Sequence, residues 1–223
     1  MKSGENLSTL MDQFAHQSTQ SVHKGEVIYA SDTTNLRLFY VTSGYVKRYM
    51  IRNDGSLGVQ SIYGPGDSFP LTPVFKALLG KSIYTGPEIH YYETMCGTEL
   101  TSIPVEELKR LAEQNQDVYK DLLIISANRL TFNIQQLENL GLATFYNRVA
   151  HQLVFFARKF GEKTQEGTKI LVPVTQQDIA NTLGATRETV SICIAQLRKN
   201  GLIDTRTDLI VKDVEKLENE AFQ

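Results

Sequence analysis

One segment, VTQQDIANTLGATRETVSICIAQLRKNGLI from Val174 to Ile203, leaves this chain little freedom in how its C-terminal part folds. Ile179, Ala180 and Leu183 fall on one face of a first short helix. Gly184 then breaks that helix, and Ala185, Val190, Cys193 and Leu197 repeat at helical spacing along a second. Ala180 is small where two helices cross closely, and Gly184 suits the positive φ that a tight turn demands. Thr175 with Asp178 has the spacing of a capping box, and Thr186 is placed to N-cap the second helix. The pattern reads as a helix-turn-helix followed by a β-hairpin wing, a geometry that presents the second helix to the major groove of DNA. The competing reading is an unrelated helical pair.

Arg187 and Glu188 occupy the first turn of that second helix. A guanidinium donates two parallel bonds to guanine, and a carboxylate accepts from the exocyclic amine of cytosine. The alternative for the two is an intrahelical or surface ion pair. Thr175, Gln176, Gln177, Thr186, Thr189 and Ser191 add short polar groups suited to phosphate contacts, which position a domain without specifying sequence. Each of them singly could instead be a cap or a solvated side chain. Thr205-Arg206-Thr207 falls at the tip of the expected wing, with Arg206 near the DNA backbone.

At 223 residues the chain has length for two modest domains, and its 41% hydrophobic and 22% charged residues suit a soluble globular protein. No apolar run reaches transmembrane length, and the first residues, MKSGENLSTLMDQFAHQ, lack the apolar core of a signal peptide. No membrane partner is expected. Cys96 and Cys193, far apart, argue for a reducing compartment and against a disulfide scaffold, so the cytoplasm is the expected location. The net charge of −2 is an objection to nucleic-acid binding. From Val174 to Lys212 the balance reverses to +1, with Arg187, Arg198, Lys199, Arg206 and Lys212 against Asp178, Glu188, Asp204 and Asp208.

The N-terminal half has a different rhythm. EVIYA (Glu26–Ala30), LRLFYVT (Leu36–Thr42), YVKRYMI (Tyr45–Ile51) and LGVQSIY (Leu57–Tyr63) are short runs rich in β-branched and aromatic residues. Ser43-Gly44 and Asn53-Asp54-Gly55 are turn signals between them. Further strands are expected at Ile89–Thr94 and Glu99–Ile103. Such spacing favours a jelly roll or barrel over a βαβ fold. Asp117 to about Leu140 then carries neither proline nor glycine and reads as one helix. Leu123, Ala127, Leu130, Ile134 and Leu137 recur in alternating steps of four and three, the seam of a two-stranded coiled coil and hence of a homodimer. A second line, Val118, Leu122 and Ile125, would pack on the roll; a single helix buried in a monomer is the alternative. Gly141 ends this helix before a hinge at Leu142-Ala143-Thr144, and Phe145–Phe160 starts the next. The fold class expected is α+β: an N-terminal double-stranded β-helix over 1–113, a connecting dimerisation helix over 114–142, and a winged helix-turn-helix over 143–223.

Arg187-Glu188-Thr189-Val190-Ser191, with the leucine-rich tail and Gly201-Leu202-Ile203, resembles the DNA-binding domain of the cyclic-AMP receptor and fumarate–nitrate regulator (CRP/FNR) family of bacterial transcription factors. Lys24-Gly25-Glu26-Val27-Ile28 and Gly64-Pro65-Gly66-Asp67-Ser68-Phe69 match the family's effector domain, so the resemblance spans most of the chain. It implies a homodimeric regulator bound to double-stranded DNA, acting with RNA polymerase, and no enzyme. In the cyclic-AMP receptor branch the matching Arg and Glu read a TGTGA-type half-site. A further Arg of that branch, one turn later, is Ile192 here.

The pocket departs from the nucleotide-binding pattern. Where those receptors have a Gly-Glu-Leu that starts a phosphate cassette, this chain reads Ser68-Phe69-Pro70-Leu71-Thr72. Lys81-Ser82 stands over their Arg-Ser, and lysine lacks the two-pronged geometry of a guanidinium. Additional residues intervene within Ser82–Tyr91. Arg129 has a matching basic residue, whereas Asn133 and Ile134 replace the pair of hydroxyl residues that touch the base. Cyclic AMP is therefore not the expected ligand. Leu71, Thr72, Lys81, Ser82, Tyr84, Arg129, Asn133 and Ile134 are the candidates to meet an unidentified small-molecule effector, the alternative being no ligand at all, and no cofactor is assigned. Tyr84, His90, Tyr91 and Tyr92 could line the pocket or form the sheet's own core. No cysteine precedes Cys96, which speaks against the family's iron–sulfur mechanism, and His90 is weak evidence for haem. Cys96 is a structural residue or a redox sensor, and Cys193 reads as packing. Rival readings from other classes are a cupin-type metal enzyme, for which only His90 with Glu88 and Glu93 comes near a ligand set, and a β-roll sensor acting through protein partners.

Overall fold

The computed structural model describes residues 8–31, 35–80 and 89–222. Two compact units divide the chain, the first holding most residues up to 132 and the second residues 133–223 with Ser56–Val59. The division falls inside a helix, α4.

The roll is built from β1 (Gln20–Val22), β2 (Val27–Ala30), β3 (Arg37–Ser43), β4 (Val46–Ile51), β5 (Leu57–Tyr63), β6 (Ser68–Phe69), β7 (Tyr91–Thr94) and β8 (Thr98–Pro104), all in the first unit except the first three residues of β5. They form two four-stranded sheets of order β1-β8-β3-β6 and β2-β7-β4-β5. The pairings β1–β8, β3–β8, β3–β6, β2–β7 and β4–β7 are antiparallel. This is the expected roll. Side chains that alternate inward meet in a core of Val22, Tyr29, Phe39, Val41, Val46, Tyr63, Phe69, Tyr92 and Leu100. Leu38 and Ile103 leave the other side of the same strands for a second core. There they join Leu10 and Phe14 of α1 (Ser8–Ala15), Val74 and Leu78 of α2 (Leu71–Leu79), and Leu108 and Ala112 of α3 (Val105–Gln114). Val118 and Leu122 of α4 (Asp117–Leu140) complete it, with Ile125 packed alongside, so the second apolar line does meet the roll's helices. Asp121, buried on α4, accepts the Leu10 amide at 2.8 Å and satisfies a donor in the first turn of α1.

Gly44, between β3 and β4, shows why that turn requires glycine. Its φ is +82°, and an added Cβ would stand 2.5 Å from Thr98 Oγ1 and 2.6 Å from the Gly97 carbonyl. The strand expected from Ile89 begins instead at Tyr91, leaving Ile89 exposed. Strands β1 and β6, three and two residues long, are too short to show a period of two in sequence.

The second unit packs α5 (Phe145–Phe160) against α6 (Gln176–Leu183), α7 (Arg187–Lys199) and α8 (Val214–Ala221). Thr144 caps α5, its hydroxyl accepting from the Asn147 amide. A sheet of order β11-β12-β10-β9 flanks the helices, with β9 (Gly161–Thr164), β10 (Gly167–Ile170), β11 (Ile203–Asp204) and β12 (Ile210–Val211) all antiparallel to their neighbours. The β11–β12 hairpin is the expected wing. The β9–β10 hairpin, with β9 exposed throughout, carries no apolar alternation that sequence reading could detect.

Candidate nucleic-acid interface

The helix pair is fixed by local chemistry at both ends of its turn. Thr175 Oγ1 accepts from the Asp178 amide at 3.1 Å, while the Thr175 amide donates to Asp178 Oδ2 at 2.9 Å, a complete capping box for α6. Gly184 ends α6 at φ +64°. Thr186 Oγ1 then accepts from the Thr189 amide at 3.2 Å and caps α7. Arg148 of α5 donates to the Leu183 carbonyl at 2.9 Å, satisfying an orphan acceptor at the C-terminus of α6; nothing in the sequence marked it. Ala180 is fully buried where α6 faces α7.

The buried face of α7 is Val190, Cys193, Ile194 and Leu197. Burial pushes the Cys193 thiol above its ordinary pKa, as expected of an apolar packing residue. The opposite face is open. Arg187, Glu188, Ser191, Ile192 and Ala195 are exposed, and Arg198 and Lys199 follow in the last turn. Among the described residues neither the Arg187 nor the Glu188 side chain makes a hydrogen bond or ion pair, so the two do not form the ion pair that was their alternative. Their first turn also carries the positive end of the helix dipole.

The other expected contacts divide by what already occupies them. Thr175, Thr186 and Thr189 are engaged in caps, the last two hydroxyls standing 3.0 Å apart. Gln176 is half-buried, and Gln177 is exposed with its amide donating to Asn181 at 2.9 Å. Arg206 lies in the loop between β11 and β12, its guanidinium folded back on Asp204 at 2.6–3.1 Å. Those bonds hold the Asp204 carboxyl well below the usual carboxylate range, and Lys212 stands 3.6 Å from the same group. Lys169 pairs with Asp208 at 2.9 Å on the same hairpin sheet. Arg206 is thus exposed but internally partnered, a contact that a lone arginine in sequence does not announce.

In the roll, Leu71 packs half-buried on the helical core from the first turn of α2, and Thr72 is exposed. Lys81, Ser82 and Tyr84 lie outside the described residues. Asn133 and Ile134 are exposed on α4. Arg129 sets its guanidinium 4.2 Å above the Tyr63 ring. Rings fill the interior: Phe69 lies 4.9 Å from Tyr92, 5.0 Å from Tyr63 and 5.4 Å from Phe39. Burial raises the Tyr92 hydroxyl well above its ordinary pKa, against the opposing pull of Arg48 and Arg129. Arg48, on β4, escaped sequence reading; its Nε is buried without a hydrogen-bond partner among the described residues. Tyr91 stacks on Tyr49 at 5.5 Å, and the His90 amide donates to Ser31 Oγ at 3.0 Å. Glu93 is paired with Lys47 at 3.0 Å, and Glu88 lies outside the described residues. Among the described residues no three His, Cys, Asp or Glu side chains are grouped to hold a metal ion, Cys96 and Cys193 are free thiols, and no helix is long and apolar enough to cross a membrane.

Residues 147–220 match the Crp-like helix-turn-helix domain. The chain is similar to the CRP-like cAMP-activated global transcriptional regulator of Mycobacterium tuberculosis, at 29% identity over 201 residues that cover 89% of this chain and 85% of the relative. It is also similar to the nitrogen fixation regulation protein FixK of Rhizobium meliloti, at 27% identity over 84% of this chain and 80% of FixK. Among solved structures it shares its fold with FixK2 of Bradyrhizobium japonicum, at a TM-score of 0.74 and 23% identity over 91% of this chain and 96% of that one. A CooA mutant from Carboxydothermus hydrogenoformans superposes with a TM-score of 0.73 at 20% identity, over 98% and 96% of the two chains.

Proposed function

Because this chain belongs to the CRP/FNR family of DNA-binding transcription regulators, we propose that it reads a palindromic duplex as a homodimer, inserting one α7 into each half-site. The observation that carries this is the first turn of α7, where Arg187 and Glu188 are exposed, unengaged and braced by Thr186. Arg187 donates to guanine, and Glu188 accepts from cytosine. Gln176, Gln177, Ser191 and the cap threonines line the phosphates, where backbone amides at the starts of α6 and α7 add donors. Arg206 reaches the backbone from the wing once it exchanges Asp204 for a phosphate.

The pairing surface is the seam of α4. Leu123 is 67% exposed, Leu130 61%, Ile134 47% and Leu137 63%, and Ala127 is exposed with them. A row of that size at steps of four and three asks for a second copy of itself. Two-fold symmetry then sets the recognition helices about 34 Å apart, one turn of DNA. The parts are an effector roll (1–113), a connecting helix (114–142) and a DNA-binding domain (143–223), in a cytoplasmic protein that acts with RNA polymerase and catalyses no reaction.

The gating ligand in this reading is a small molecule other than cyclic AMP, although the M. tuberculosis relative is named as cAMP-activated. Supporting this, Phe69 and Pro70 stand where the nucleotide receptors begin their phosphate cassette, and the roll's interior is filled with rings. Arg48 and Arg129 beside Tyr63 and Tyr92 suit an anionic or phenolic group. To shift the dimer such a ligand must bind its two arrangements unequally.

The test is titration of the full-length protein with a TGTGA-type palindrome and with random duplex of equal length, across salt. Tighter binding of the palindrome, with log affinity falling linearly in log salt, is the expected result. Equal affinity for both duplexes overturns the reading.

A further inference from the structure

Among the described residues the most exposed large apolar side chain is Ile192, at 68%. A single exposed isoleucine is ordinary in itself. Its position is not. Val190, Cys193, Ile194 and Leu197 define the inner face of α7, and with 3.6 residues per turn Glu188, Ile192, Ala195 and Lys199 run down the opposite face. That outward stripe is charged at both ends and apolar in the middle, where Ala195 is exposed beside Ile192. An α7 that only touched phosphates, or only water, gains nothing from two adjacent apolar groups at its most protruding point.

We propose that Ile192, with Ala195 beside it, determines specificity by packing on the C5-methyl group of a thymine in each half-site. This rests on the reading that α7 enters the major groove. The thymine methyl is the one apolar feature of a base edge there, and aliphatic side chains are its natural partner. Ile192 lies one turn beyond Glu188, about 6 Å along the axis, a distance of one to two base-pair steps. The methyl it covers therefore neighbours the pairs met by Arg187 and Glu188. Aliphatic contact releases no counterion, so Ile192 contributes discrimination without adding to the salt dependence. It also rejects a competitor, since burying the exocyclic amine of cytosine or adenine against isoleucine leaves a donor unpaired.

The experiment selects duplexes with full-length protein from a pool of palindromes randomised across both half-sites, then replaces each selected thymine by deoxyuridine, which removes only the methyl. The expected result is one thymine per half-site whose replacement weakens binding roughly fourfold, the worth of one buried methyl, and roughly fifteenfold when both half-sites are changed. Ile192→Ala should bind thymine and deoxyuridine within about twofold of each other while keeping its selection for the pairs read by Arg187 and Glu188. Ile192→Arg should shift the selected base toward guanine. Because Ile192 touches no core, both variants should keep the parent's melting temperature. Wild-type protein indifferent to every methyl, or Ile192→Ala equally sensitive to the same one, overturns the assignment while leaving the DNA reading in place. Wild-type protein that selects no consensus removes the DNA reading itself and Ile192's role with it.

Discussion

A guanidinium without a partner inside the protein arrives at a base edge without first breaking a contact. Among the described residues Arg187 is in that state, and Arg206, clasped by Asp204, is not. The two arginines should therefore respond differently to removal. Arg187→Ala is expected to lose discrimination at one guanine by about 1–3 kcal/mol, seen as a flattened base preference in competition binding with little change on random duplex. Burial and the hydrogen bond from its hydroxyl to Glu220 push Tyr146 up to about 12 from its ordinary 10.0. A raised folded pKa means that its contribution is complete below pH 10.0 and is lost as pH climbs toward about 12. Tyr146→Phe should thus narrow its stability gap to the parent between those two values, in denaturant melts at stepped pH. A constant gap would mean that Tyr146 keeps its ordinary pKa.

Helix α7 owes its orientation to three residues outside its own apolar face: Thr175, Gly184 and Thr186. Gly184 holds φ +64° with open space around its absent Cβ, so a substitution there meets strain from the backbone alone. Gly184→Ala should cost about 1 kcal/mol of stability, read by thermal or denaturant unfolding. Its DNA affinity should fall by more than that strain implies, because α7 changes its presentation as well as its population. A loss confined to stability, with palindrome binding intact, would mean that the turn does not aim the helix. The same element scale explains the roll. Its strands face two cores, an aromatic one between the sheets and an aliphatic one under α1, α2, α3 and α4.

At the scale of the whole molecule, the proposed reading makes specificity depend on joining two half-sites. One α7 offers few base contacts, and the local charge of the domain is nearly balanced, so a single copy binds weakly. In the proposed dimer, pairing through α4 would make the second contact intramolecular and raise affinity without new chemistry. Leu130→Glu, placed at a 61% exposed seam position, should leave each chain folded, since its side chain supports no core. Sedimentation should show monomers, and palindrome affinity should fall by roughly a hundredfold or more. A variant that stays dimeric would locate the interface elsewhere.

The sequence by itself determined the elements whose logic is local. The turn between α6 and α7, both caps, the full extent of α4 and α5 and the principal strands were legible because capping, glycine geometry and apolar period act within a few residues. It also marked Arg187 and Glu188, since their place depends only on the start of α7. What only the tertiary structure decided was which polar groups remain available. Arg206 is taken by Asp204, Arg148 by the end of α6, and Arg48 is drawn in beside Tyr92, while Ile192 is left bare. Those outcomes turn on which side chains from distant elements converge, and burial and pairing are properties of the folded neighbourhood rather than of spacing along the chain.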